Sequence, residues 1–218
     1  MQSASPFDLS LPVAIALLAS LGNSYAHGIA EHAAKYDFTG SMKLSEAIGH
    51  WIAFGAIEQE TRSEVYESTD AIRALAAGKF ALQPGDEDAI RSLWHTLTGT
   101  GEDAGRDEDF RSWASGCEDE ARGWTRAYWR SGAELVTGAE AQGAQAAHDF
   151  AAGDGVTTTD LQSVRGFPRW EQEARSAAIF ACDEDEEGRT WQHAYQAAWL
   201  RSFEQTCNDI AEDFLANL

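Results

Sequence analysis

The strongest constraint on the fold is a stripe of apolar side chains at helical spacing near the C-terminus. It advances by four, four, four, four, three and four residues through Trp191, Tyr195, Trp199, Phe203, Cys207, Ile210 and Phe214. Because an α-helix turns once in about 3.6 residues, this spacing places all of them on one helix face. The stripe predicts a helix over about 187–216 with that face in the core.

Helical spacing recurs through most of the chain. Residues 11–35 are rich in apolar side chains, with Ser10 as a candidate N-cap and Pro12 in the first turn. Residues 43–77 predict one long or kinked helix, and another follows the turn at Gln83. A further helix face is predicted from Phe110, Trp113, Cys117, Ala121, Trp124, Tyr128 and Leu135. Strand-like alternation is missing, so we predict an all-α, multi-helix bundle of about 6–8 helices, with two helical subdomains as an option.

The helix that carries Trp113 and Trp124 is expected to weaken beyond Thr137. Gly138, Gly143 and the alanines around them offer little side-chain surface for packing. The glycines in Gly153-Asp154-Gly155 are expected to end it.

The charge of the chain is large and unevenly distributed. Asp and Glu number 36 and Lys and Arg 16, a net charge of −20, while 44% hydrophobic residues still allow a core. This balance argues against direct binding to nucleic acid or to an anionic membrane. Residues 1–82 carry nine acidic and five basic residues, and residues 83–218 carry 27 and 11, together with seven of the eight tryptophans. We therefore predict a mildly acidic N-terminal helical region, 1–82, and a strongly acidic, Trp-rich region, 83–218.

The cysteines and the first apolar run bear on the compartment. Cys117, Cys182 and Cys207 form no CxxC pair, which favours buried free thiols over disulfides or structural zinc. The run from Leu11 to Leu21 resembles a signal-peptide core, but it is preceded by Asp8 where a basic residue is typical. We expect it to be the buried first helix of a cytoplasmic protein that holds no cofactor.

Acidic clusters are the first candidate for function. They are Asp86-Glu87-Asp88, Glu102-Asp103 with Asp107-Glu108-Asp109, Glu118-Asp119-Glu120, and Asp183-Glu184-Asp185-Glu186-Glu187. Three of the four lie at or before predicted helix starts, where the helix dipole favours carboxylates. The alternative is a surface that imitates the phosphates of DNA, which carries a negative charge about every 1.7 Å of axis. Metal binding and a halophilic coat remain further alternatives.

Two tryptophans are candidate interface residues. Trp129 and Trp170 lie off the predicted aromatic stripes, beside Arg130 and Arg169 respectively. Tryptophan and arginine are enriched among residues that dominate binding energy at protein interfaces. With the acidic clusters at 107–109, 118–120 and 183–187, they make up the predicted interaction site.

Enzymatic alternatives depend on a few carboxylates and histidines. Glu64-x-x-Glu67-x-x-Asp70 resembles half of the magnesium site of all-α nucleotide pyrophosphohydrolases, although a second such motif is missing. His148-Asp149 resembles the His-Asp pair of all-helical metal phosphohydrolases, for which His95 and Asp209 would have to complete the site.

Other reactive motifs are missing from the sequence. His27, His32 and His50 lack the ExxH and HExxH spacings of helical metal sites, so core or capping roles are favoured. Cys117 precedes three carboxylates, which disfavour a thiolate. GxSxG, Walker and GxGxxG motifs are also missing. A non-enzymatic role is favoured.

The combined features favour a protein that binds a basic partner. An acidic all-α chain of this size resembles, in type only, the anti-restriction and anti-CRISPR proteins of phages and plasmids. That resemblance implies binding to a basic nucleic-acid-binding protein or ribonucleoprotein complex and inhibition of it. The alternatives are a metal-dependent nucleotide hydrolase and an acidic scaffold or halophilic protein.

Overall fold

The computed structural model describes residues 9–58, 68–79, 81–99, 108–182 and 186–217. Helices and the turns between them account for these ranges, and no strand occurs within them. The helices are α1 (Leu11–Ser20), α2 (Ala26–Lys35), α3 (Leu44–Glu58), α4 (Thr69–Ala76), α5 (Pro84–Thr98), α6 (Glu108–Ala151), α7 (Thr158–Gln162), α8 (Pro168–Ala181) and α9 (Glu186–Ala216). The all-α prediction is confirmed.

The apolar segment 11–35 forms two helices, α1 and α2. Gly22 adopts a positive φ of 75°, which breaks the helix between α1 and α2. The side-chain amide of Asn23 then donates to the carbonyl of Ser92 (3.2 Å) and to Oγ1 of Thr96 (2.8 Å) on α5. This division is one reason why the described residues contain more helices than the sequence predicts.

The chain divides into two compact units. Unit 1 comprises Met1–Gln59 and Gly78–Ala127, and unit 2 comprises Glu60–Ala77 and Tyr128–Leu218. Helix α6 contributes residues to both. These packing units are not the compositional regions 1–82 and 83–218, whose boundary stays a prediction about surface character.

Unit 1 is organised around the helices at its N-terminal end. Helix α1 packs on α2, α3 and α5. The core that these helices share with the first part of α6 includes fully buried side chains such as Leu18, Ile48, Leu93 and Cys117. The apolar run near the N-terminus is therefore part of this core, and Leu11, Ala14 and Leu18 are all buried.

Unit 2 is built on α9, which packs against α7 and α8. Helix α4 is tied to this unit because Nη1 of Arg201 donates to Oγ1 of Thr69 (3.1 Å) and Arg73 pairs with Glu140. The predicted stripe on α9 is buried from Trp191 to Cys207, but Phe214 at its end is 58% exposed. The stripe therefore leaves the core in the last turns of the helix.

Helix α6 does not weaken beyond Thr137, contrary to the sequence-based expectation. It continues to Ala151, and Gly143 and Ala147 are buried. Oγ of Ser202 on α9 donates to the carbonyl of Glu140 at 2.7 Å. The small residues of this segment permit close contact between the two helix backbones, so the lack of side-chain bulk strengthens the packing.

Cys117, Cys182 and Cys207 are free thiols, and all three are buried, as predicted. Burial raises the pKa of Cys117 to about 12, with Glu120 as a second cause. This thiol stays protonated at neutral pH, which agrees with its exclusion as a nucleophile.

Candidate interaction surface

The acidic residues at the start of α5 stabilise that helix. Oδ2 of Asp86 accepts a hydrogen bond from the backbone N–H of Gln83 (2.9 Å), which caps the first turn. Burial raises the pKa of Asp86, opposed by that hydrogen bond. Glu87 lies in the same turn, where the helix dipole favours a carboxylate. This cluster is therefore explained by helix stability.

The cluster at the start of α6 is only partly within the described residues. Glu108 and Asp109 form the first turn of the helix and both are exposed. Asp107 lies outside the described residues. The helix dipole favours carboxylates here as well, so this placement does not by itself indicate recognition.

The cluster Glu118-Asp119-Glu120 lies well inside α6, where the effect of the helix dipole has faded. Glu118 forms an ion pair with Arg122, while Oδ1 of Asp119 is 3.9 Å from Nη1 of Arg122. The pKa of Glu120 is raised, first by burial and then by the charge of Glu46. The Asp119 side chain is 71% exposed and is the outward-facing member of the three.

Of the cluster 183–187, the structure describes the backbone of the last two residues only. Asp183, Glu184 and Asp185 lie outside the described residues. Glu186 and Glu187 begin α9, but their side chains are also outside that description. Their role in an interaction surface stays a prediction.

A further group of carboxylates was missed by the sequence reasoning. Asp209, Glu212 and Asp213 lie on α9 within its last two turns or so, and all are exposed. Their spacing of three and four residues places them on one side of the helix, opposite the buried Cys207 and Ala211. No basic residue occurs in the last turn of α9. The spacing of these three carboxylates can be read from the sequence. The spacing within one helix does not, however, show which of its faces is covered by other helices.

The expectation that Trp129 and Trp170 are exposed interface residues is wrong. They are only 2% and 7% exposed. Trp129 packs edge-to-face against Trp191, with ring centroids 5.4 Å apart. Trp170 packs against Phe203 at 4.4 Å. Both belong to the core of unit 2.

The position of the buried face of α6 explains the error for Trp129. The sequence placed Trp124 and Tyr128 on the core stripe, but both are only half-buried. Three positions of the predicted stripe, Phe110, Cys117 and Ala121, are buried. From there the buried face continues through Thr125, Trp129, Gly132, Val136, Ala139, Gly143 and Ala147. This face is marked by small residues more than by large ones.

The residues that the structure describes give no support to the two metal-dependent hydrolase sites considered from the sequence. Glu64 and Glu67 lie outside them, and Asp70 is an exposed residue in the first turn of α4. His95 belongs to unit 1, whereas His148 and Asp149 belong to unit 2. Across the part of the chain that the structure describes, no three His, Cys, Asp or Glu side chains are grouped to hold a metal ion.

A histidine pair lies among aromatic rings in unit 1. Nε2 of His32 and Nδ1 of His50 are 2.5 Å apart and share a hydrogen bond. His50 is 4% exposed and stacks on Phe54 with centroids 4.3 Å apart, while Trp124 contacts it edge-on. The prediction of a core histidine is confirmed for His50.

The burial of His50 predicts a loss of stability in mild acid. Burial, and secondarily the charge of His32, lowers the pKa of His50 from 6.5 to about 4. The unfolded chain takes up a proton near pH 6.5, whereas the folded protein does not until about pH 4. We expect His50 to contribute a loss of about 2–3 kcal/mol in the free energy of unfolding as the pH falls through this interval.

Urea unfolding of the wild type and His50→Phe across this pH interval measures the effect. The variant should lose less stability than the wild type, because phenylalanine cannot titrate. His27→Gln is the matched control, because His27 is largely exposed and only paired with Glu31 on its own helix. Equal pH slopes for wild type and His50→Phe would contradict the assignment.

Comparison with known proteins identifies no relative of this chain. No protein-family model, no curated protein and no solved structure matches it. Within the described residues, no helix has both the length and the apolar character needed to cross a membrane.

Proposed function

We propose that this chain is a non-enzymatic, acidic interaction protein that binds a basic nucleic-acid-binding protein or ribonucleoprotein complex. It inhibits that partner by competing with nucleic acid. In this it resembles, in type only, the anti-restriction and anti-CRISPR proteins. The observation that carries the proposal is the exposed acidic end of α9, formed by Asp209, Glu212 and Asp213.

Helix stability does not account for two of these three carboxylates, Glu212 and Asp213. Asp213 lies in the last turn of α9, where a carboxylate interacts unfavourably with the helix dipole by about 0.3–1 kcal/mol. Asp209 lies about two turns before the end of the helix and accepts a hydrogen bond from Nε2 of Gln205 at 2.8 Å. Asp209 and Asp213 are also four residues apart, where like charges repel. The capping explanation that holds for Asp86 therefore does not extend to them. Attraction to a cationic surface gives a reason for their presence.

The charge of the whole chain supports the same type of partner. A net charge of −20 creates a long-range field that attracts a basic nucleic-acid-binding groove and repels nucleic acid. Complementary charges accelerate association, and salt screens them over about 10 Å at 0.1 M ionic strength. Binding should therefore weaken strongly as salt is added.

The proposal predicts salt-sensitive capture of nucleic-acid-binding complexes. The tagged protein would be incubated with a lysate of its host at about 50 mM and about 500 mM NaCl, where screening differs strongly. Proteins retained only at low salt would be identified, purified and tested for release of labelled DNA or RNA when the chain is added. Retention of no such complex, or failure to displace nucleic acid from it, would refute the proposal.

A pair of variants separates a directed acidic surface from a general effect of charge. The first combines Asp209→Asn, Glu212→Gln and Asp213→Asn. The second removes the same charge from other exposed positions, early in α5 and α8, through Glu87→Gln, Asp88→Asn and Glu171→Gln. We expect the first set to slow association with the captured complex more than the second. Equal effects would favour the scaffold or halophilic alternative.

A further inference from the structure

Unit 2 contains a pocket at the end of α6 that the proposed function does not use. Its volume is about 350 Å³, and it is bounded by α6, the turn before α7, α7 itself and the start of α8. This volume lies within the range of sites that bind small groups, about 300–1,000 Å³. All of its lining residues are described.

The wall of the pocket is apolar and aromatic. Phe150 and Trp170 meet edge-to-face with ring centroids 5.0 Å apart, and Val164 is 5% exposed. Phe167 also lines the pocket but is 54% exposed. A partly exposed phenylalanine beside buried rings offers apolar surface to an aliphatic or aromatic group.

Two carboxylates line the same pocket. Oδ2 of Asp160 accepts hydrogen bonds from the backbone N–H (2.9 Å) and from Oγ1 (2.6 Å) of Thr157. These bonds lower the pKa of Asp160, so it is ionised at neutral pH, and they leave Oδ1 for a ligand. Asp154 is exposed in the turn that precedes α7.

The aromatic wall already contacts a guanidinium group. The Cζ atom of Arg169 is 4.6 Å from the centroid of the Trp170 ring, a cation–π contact. Arg169 is the one cation among the lining residues, against the two carboxylates. The pocket therefore has an excess of negative charge, within a chain whose overall field attracts cations.

We infer that this pocket binds an arginine side chain of the basic partner, with the guanidinium paired to Asp154 and Asp160 and the aliphatic stem against Phe167. Arginine suits the site better than lysine, because its planar group can pair with carboxylates through several donors and also lies well against aromatic rings. The claim that the arginine belongs to a basic partner rests on the proposed function. The claim that the pocket binds a guanidinium group does not.

Titration of the purified full chain with Nα-acetyl-arginine methylamide tests the inference. Binding is measured by calorimetry and by the NMR shifts of the tryptophan indole groups. We expect saturable binding that shifts one indole resonance, assigned to Trp170 through a Trp170→Phe variant. The uncharged citrulline counterpart should bind at least about fivefold more weakly, as expected for losing a charge-assisted hydrogen bond. Equal binding of the two compounds would overturn the inference.

Asp154→Asn is the informative variant, because Asp154 is exposed and its replacement should not disturb folding. It should weaken binding of the arginine compound by about fivefold, in the range of an exposed ion pair. Asp88→Asn, an equal change at an exposed position of α5 outside the pocket, should leave binding unchanged. Equal weakening in both variants would indicate attraction by overall charge and would overturn the pocket assignment.

Two outcomes separate this inference from the proposed function. If free arginine binds more tightly than the blocked compound, the pocket is a small-molecule site and the partner's side chain is not its occupant. If the blocked compound binds as expected while no nucleic-acid-binding complex is captured from the host, the proposed function fails and the guanidinium site stands.

Discussion

Replacing Gly143 with alanine is expected to destabilise the protein by about 3 kcal/mol, at the upper end of overpacking effects. A Cβ atom at this position would overlap the carbonyl oxygen of Trp199 on α9. It would also lie 3.1 Å from the carbonyl carbon of Trp199 and 3.2 Å from the backbone nitrogen of Phe203. Because these are backbone atoms, no side-chain rotation relieves the overlap, and α6 and α9 must separate.

Gly138→Ala is the matched control for this prediction. It lies on the same helix, but a Cβ atom there would meet nothing within 4 Å. Alanine at an exposed helical position is favoured over glycine by about 1 kcal/mol, so this variant should be as stable as the wild type or more stable. Urea unfolding monitored by circular dichroism measures both. Equal stability of the two variants would show that α6 and α9 do not approach as closely as described.

Phe203→Ala is expected to cost about 3–5 kcal/mol of unfolding free energy, as for other buried aromatic residues replaced by alanine. Phe203 is completely buried on α9. Its ring stacks on Trp199 with centroids 5.2 Å apart and contacts Trp170 at 4.4 Å. Removing it leaves a cavity that these rings cannot fill without giving up contacts.

Phe214→Ala provides the comparison on the same helix, because Phe214 is 58% exposed. We expect a change of less than about 1 kcal/mol, as is usual for surface substitutions. Guanidinium unfolding of both variants, followed through tryptophan fluorescence, gives the difference. A loss at position 214 as large as that at position 203 would mean that the end of α9 is covered rather than exposed.

Local sequence patterns were sufficient to show that the chain is helical, but not to give the number of helices or the packing of α6 beyond Thr137. Prolines occupy the first turns of three helices: Pro12 in α1, Pro84 in α5 and Pro168 in α8. Proline fits there because the backbone N–H groups of a first turn make no hydrogen bond within the helix. The capping Asp86 likewise acts on the backbone N–H of a residue three positions away. Such effects extend over a few residues, so they can be read from a short stretch of sequence.

The candidate surface was predictable only in part. The acidic residues at helix starts follow from local preferences, and Asp86 is used for capping. The structure shows which face of α9 is covered, and only then is it clear that the carboxylates of Asp209, Glu212 and Asp213 lie together on the exposed side. Trp129 was misassigned for the same reason, because the face of α6 that is buried is set by its neighbours.

By itself, the sequence determined an all-α chain with buried thiols, an acidic surface and a helix at the position of the C-terminal stripe. The tertiary structure alone decided which faces are covered, that Gly143 permits close contact between α6 and α9, and that Asp154, Asp160 and Arg169 line one pocket. The physical reason is the range of the interactions involved. Capping and helical periodicity act within a few residues, whereas burial depends on segments that are far apart in the chain.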